Sequence, residues 1–125
     1  MNQKNIFTVM GAILVLQGFA FYFMGEKMMA DVFPNLDEAG NYATTNLAQV
    51  MAMMSITVGL ISYAARNTSQ VLWAFTIGFG LFGLNSLKHM FINHINVPIP
   101  ALVIQLGIAL VCGYLWMQSG KTQAS

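Results

Sequence analysis

Charge is what this chain has least of: five Lys or Arg and four Asp or Glu in 125 residues, 7% of the total. Soluble globular domains carry about 25% charged residues, so this composition excludes an ordinary water-solvated surface. The formal net charge of +1 supplies no basic face for a polyanion, which argues against a nucleic-acid partner. Cysteine is nearly absent too. Cys112 is the one example and lies inside an apolar run, which excludes an internal disulfide and a CxxC redox pair. Proline occurs three times, once between apolar runs (Pro34) and twice where the last run opens (Pro98, Pro100), so no run is broken in its middle. The apolar runs hold no acid, and the chain has no Ser/His/Asp set and no zinc-ligand spacing. Nothing in it specifies a catalytic group or a cofactor.

What is present is apolar length: 57% of the residues are hydrophobic. A membrane-spanning helix needs about 20 such residues in succession. Four windows qualify, Ile6 to Met24, Leu47 to Ala65, Val71 to Leu87 and Ile99 to Gln118, and none contains a charge. The second and third are separated by a short polar segment around Arg66, Asn67, Thr68 and Ser69, which demands a tight helical hairpin. Pro98 and Pro100 suit the opening of the fourth helix, where a missing N–H costs nothing. The expected fold is all-α: an integral membrane four-helix bundle, one transmembrane domain over 1–125 with spans about 6–24, 47–65, 71–87 and 99–118.

The first run is too long for the apolar region of a secretory signal, and the Lys27-Met28-Met29-Ala30 stretch lacks small residues at both cleavage positions. It is read as a retained anchor. With four spans the termini share a side, which holds Lys4, Arg66 and Lys121; the other side holds Lys27 and Lys88. Three basic residues against two favour cytoplasmic N and C termini. Residues 25–45 form the one sizeable loop, on the outer side. Met28, Met29, Val32, Phe33 and Leu36 recur at helical spacing, predicting a short interfacial helix. Asn35 and Glu38 have capping-box spacing for a helix that leads, with a break near Gly40, into the second span.

Small residues indicate where helices meet, because lipid supplies no hydrophobic drive between them and close backbone approach must hold them together. Gly11, Gly18 and Gly25 repeat every seven residues in the first span, and Ala48, Ala52, Ser55, Gly59 and Ser62 follow a 4-3-4-3 rhythm in the second. Ala74 and Gly78 in the third span, and Ala101, Gln105, Ala109 and Gly113 in the fourth, continue the theme, with Phe75, Phe79 and Phe82 filling wider gaps. Crossings of about +20° are the default for such stripes.

Polarity inside the spans gathers toward the outer half. Asn85, Lys88 and His89 stand at i, i+3 and i+4 on one face of the third helix. Gln17 in the first span, Asn46 and Gln49 at the start of the second and Gln105 in the fourth lie in the same half. Gln17 and Gln49 each fall about 100° from their small-residue stripes, as expected of side chains turned to an interior. Two accounts stand. Intramembrane amides bond neighbouring helices as packing glue while Lys88 snorkels to the headgroups. Alternatively, these seven residues form a ligand-binding pocket in the outer half for a quinone-like molecule or a lipid, with His89 and Lys88 donating hydrogen bonds to an oxygen. A third reading uses the methionines: Met24, Met28, Met54 and Met90 with His89 and His94 offer thioether and imidazole ligands suited to Cu(I). Against it, Met is also a gap-filler, and Met51, Met53 and Met54 point different ways around a helix.

The layout comprises a first span, an outer loop containing Pro34, a second and third span joined by a short basic turn, and a proline-opened fourth span. It resembles the DoxX-like group of small four-helix membrane proteins. The resemblance implies a membrane accessory role, in some members beside quinone-linked redox enzymes, and assigns no residue. The sequence therefore predicts a non-catalytic accessory or structural subunit, with the lipid bilayer, a membrane-protein partner or second copy, or a lipophilic small molecule as the partners to expect.

Overall fold

A computed structural model describes residues 2–92, 94 and 97–124. The all-α expectation holds: the described residues form four long helices and no strand. These are α1 (Gln3–Val32), α2 (Glu38–Ala64), α3 (Leu72–Phe91, entered through a 3-10 turn at Ser69–Val71) and α4 (Ile99–Ala124). Each is long and apolar enough to cross a membrane, since 20 residues already rise about 30 Å, the thickness of the hydrocarbon core.

The boundaries differ from expectation at one loop. α1 does not stop at Met24 and give way to a separate interfacial helix; it runs unbroken to Val32. Helix geometry persists because nothing between Gly25 and Val32 breaks it, and Pro34 is the first residue that cannot continue it. The cap of α2 is Asp37 and not Asn35: the Asp37 carboxylate accepts the Gly40 N–H at 2.7 Å. That bond satisfies one of the orphan donors of the first turn, and the carboxylate sits favourably at the positive end of the helix dipole. Nor does Gly40 break the helix, which continues from Glu38 to Ala64. α4 begins where the prolines predict. The Pro98 carbonyl accepts from Ala101 and Leu102 N–H, and Pro100 occupies the first turn, where its missing N–H would have had no partner.

The chain divides into two compact units, Met1–Asn67 and Thr68–Ser125. In the first, the two small-residue stripes meet each other. A Cβ built on Gly11 would lie 2.7 Å from the Gly59 carbonyl oxygen, one on Gly18 would lie 2.7 Å from that of Ala52, and one on Gly25 would lie 3.0 Å from the Ala48 Cβ. Close approach lets the Ser55 hydroxyl donate across to the Leu14 carbonyl at 2.9 Å. Where α2 ends, the Arg66 guanidinium lies 4.1 Å from the centre of the Tyr63 ring and donates to the Tyr63 carbonyl, a cation at the negative end of the dipole.

The second unit is built on a different glycine from the one expected. Gly78 does not pack: a Cβ there would meet nothing within 4 Å. Gly83 takes that place, its α-carbon lying against the Leu106 side chain, while Gly113 faces the Thr76 methyl. Phe75, Phe79 and Phe82 form a ladder along α3, with ring centres 5.8 Å and then 6.5 Å apart.

Candidate functional site

The polar residues read as one cluster belong to the two units separately. In the first, α1 carries Gln17 and α2 carries Asn46 and Gln49. Asn46 is exposed and Gln49 half-buried. Gln17 is half-buried as a residue, but its Oε1 is closed off and has no hydrogen-bond partner among the described residues. An amide oxygen in that condition costs free energy until something donates to it. The contacts of Gly18 with Ala52 and of Gly25 with Ala48 set the register of the hairpin. In that register Gln17 lies level with the residues around Met54, so Gln17 and Gln49 are about 8 Å apart along the axis.

The second unit does join two helices through polar side chains. The Ser86 hydroxyl of α3 donates to Oε1 of Gln105 in α4 at 2.9 Å, with both residues half-buried. Asn85, the residue expected to share the site with Gln105, is exposed; one position earlier on a helix turns a side chain by about 100°. Sequence reasoning missed Ser86 because Asn85 is the more polar neighbour. A signal was available: Leu72, Thr76, Phe79, Gly83, Ser86 and Met90 follow a 4-3-4-3-4 spacing, and all are buried or half-buried. That is the seam of α3, and Ser86 belongs to it.

Lys88 and His89 occupy the last turn of α3, Lys88 exposed and His89 half-buried. Positive or proton-donating groups there complement the unsatisfied carbonyls and the negative end of the helix dipole. Asn85, Lys88 and His89 remain on one helical face as their spacing requires, close in sequence to Ser86 and, through it, to Gln105.

The soft-metal set is dispersed. Met24 and Met54 are exposed, Met28 and Met90 half-buried. His94 is exposed with φ of 53°, a left-handed conformation that histidine adopts more readily than branched residues do. Among the described residues no group of three or more His, Cys, Asp or Glu is gathered to hold a metal.

No family, no curated protein and no solved structure matches the chain.

Proposed function

We propose that the chain is a small integral membrane protein acting as a non-catalytic accessory or structural subunit of a membrane complex, with both termini cytoplasmic. One observation carries this reading. Gly78, Gly80 and Gly107 sit within membrane-length helices, yet a Cβ on any of them would meet nothing within 4 Å. Mid-helix glycine costs about 1 kcal/mol relative to alanine, and inside a membrane the usual return is close approach by another helix. Gly11, Gly18, Gly25, Gly59 and Gly83 have such a neighbour within the chain. Ala74, which is exposed, and Gly78 stand four residues apart on one face of α3, a face suited to a helix of a partner subunit or of a second copy. The layout shared with DoxX-like proteins agrees with an accessory role.

Site-directed cross-linking tests it. In a Cys112→Ala background, Gly78→Cys supplies a single thiol; the proposal expects a cross-linked product in native membranes and its loss on adding Ala74→Leu on the same face. A monomer that forms no cross-link in native membranes sinks the reading.

A second reading is favoured by the Ser86–Gln105 bond. It places paired polar side chains within membrane-length helices and close to Asn85, Lys88 and His89, a set suited to the oxygen of a quinone-like or lipid ligand. Organic extraction of the purified protein, followed by mass spectrometry, separates the two readings. A stoichiometric lipophile supports a binder, and its absence supports a subunit.

A further inference from the structure

The face of α3 that carries Ala74 and Gly78 extends further along the helix. Ala74, Gly78, Leu81, Asn85 and Lys88 follow a 4-3-4-3 spacing and so form one line, on the side of α3 roughly opposite the seam of Thr76, Gly83 and Ser86. Ala74, Leu81, Asn85 and Lys88 are exposed, and a Cβ on Gly78 would meet nothing within 4 Å. Such a line would be ordinary lipid-facing surface were it not for Asn85. The membrane-length segment Ser69–Phe91 has 23 residues and rises about 34 Å, against a hydrocarbon core of about 30 Å. Asn85 stands six residues short of Phe91, which puts it about 7 Å inside the core when the segment is centred there. Gln105 is taken by Ser86, and no hydrogen bond joins the Asn85 amide to any described residue. An amide left unpaired at that depth is costly, because lipid tails offer neither donor nor acceptor.

We propose, resting on the subunit reading above, that this face binds a second copy of the chain, in a parallel pair whose twofold axis runs along the membrane normal. Two copies inserted alike place every residue at the depth of its own counterpart, and a twofold contact brings the same patch of each together. An amide is its own complement, since its NH₂ donates and its carbonyl accepts. Two Asn85 side chains brought level therefore exchange two reciprocal hydrogen bonds, whereas a foreign helix would have to supply a matching polar group at the same depth. Gly78, two turns away, removes the side chain that would hold the backbones apart. The 4-3 spacing suits a shallow left-handed crossing that keeps the line in contact over several turns, and a single asparagine on such a seam fixes register and partner number. Lys88 ends the line, and its long stem carries the charge outward to water, away from its counterpart.

Two differently tagged forms of the full chain, each Cys112→Ala with Gly78→Cys, are co-expressed and oxidised in native membranes. A disulfide-linked product carrying both tags is expected, and Gly80→Cys, which lies off the line, should give none. Affinity is then read without the thiol, by energy transfer between fluorescently tagged copies diluted in phosphatidylcholine vesicles. Asn85→Leu should raise the dissociation constant about eightfold, the loss of two interhelical hydrogen bonds of average strength. Asn85→Gln retains an amide and should recover most of that loss. Leu84→Asn combined with Asn85→Leu keeps an amide at nearly the same depth but turned by about 100°, and should not. A disulfide product that joins the tagged chain to a different protein overturns the second-copy proposal and leaves the subunit reading standing; no product of either kind sinks both. An affinity unchanged by Asn85→Leu also overturns the proposal, because apolar contact around Gly78 would then suffice.

Discussion

Gly11 and Gly59 face each other so closely that a Cβ on either would come within 2.8 Å of the other's carbonyl oxygen. Backbone meets backbone at this point, and no side chain can swing aside to make room. Gly59→Ala or Gly11→Ala should therefore force α1 and α2 apart, and such overpacking costs about 1 to 3 kcal/mol. Gly78→Ala and Gly80→Ala, with open space at the built Cβ, should stabilise the monomer by up to about 1 kcal/mol through helix propensity alone. Unfolding in detergent and denaturant measures all four, and equal losses at the two pairs of sites would contradict the packing described.

Ser86 and Gln105 should couple. Deleting either partner leaves the other without its mate in an apolar surround, so Ser86→Ala and Gln105→Leu are expected to be non-additive. Interhelical hydrogen bonds in membrane proteins average about 0.6 kcal/mol in double-mutant cycles, with a maximum near 1.7. Asn85→Ala combined with Gln105→Leu serves as the control and should add without coupling.

Cysteine labelling in intact cells tests the orientation. Cys112 is fully buried and should resist maleimide until the protein is unfolded in hot detergent, which makes Cys112→Ala a clean background. In that background Asn41→Cys should react with a membrane-impermeant reagent and Ser69→Cys should not, as cytoplasmic termini require. The reverse pattern would invert the protein in the membrane.

His89→Leu separates a site from a scaffold. The residue is half-buried in the last turn of α3, and leucine is an apolar replacement of adequate size. The fold should persist with a thermal midpoint lowered by no more than several degrees, because losing one side-chain interaction of a half-buried residue costs about 1 kcal/mol. Any stoichiometric lipophile held by Asn85, Lys88 and His89 should fall in occupancy. If the variant melts unchanged and retains every bound molecule, the ligand reading fails and the polar stretch serves only to end the helix.

The helices themselves were legible in the linear chain. Long charge-free windows, a short polar turn before Ser69 and prolines ahead of α4 each act within one helix or one turn, and hydrophobicity and backbone chemistry decide them locally. The Gly11, Gly18 and Gly25 stripe and the small-residue line on α2 were legible as packing lines for the same reason, since a seven-residue repeat marks one line on a helix, but that these two lines meet each other was fixed by the fold. The loop was misplaced because the apolar side chains from Met28 onward suit an interfacial helix and the continuation of α1 equally well.

Pairing in the second unit was decided by tertiary structure alone. A helix that is apolar nearly all round has no hydrophobic face that announces which side is buried. Thus Gly78 and Gly83 looked alike, as did Asn85 and Ser86, until rotation and axial offset against α4 chose Gly83 for Leu106 and Ser86 for Gln105. The same offset brings Trp73 level with Trp116, residues 43 positions apart, and no local property of either tryptophan specifies the other. Composition and period set what each helix is; the relative rotation of two helices, a matter of a few van der Waals contacts on otherwise equivalent faces, sets which of its residues meet.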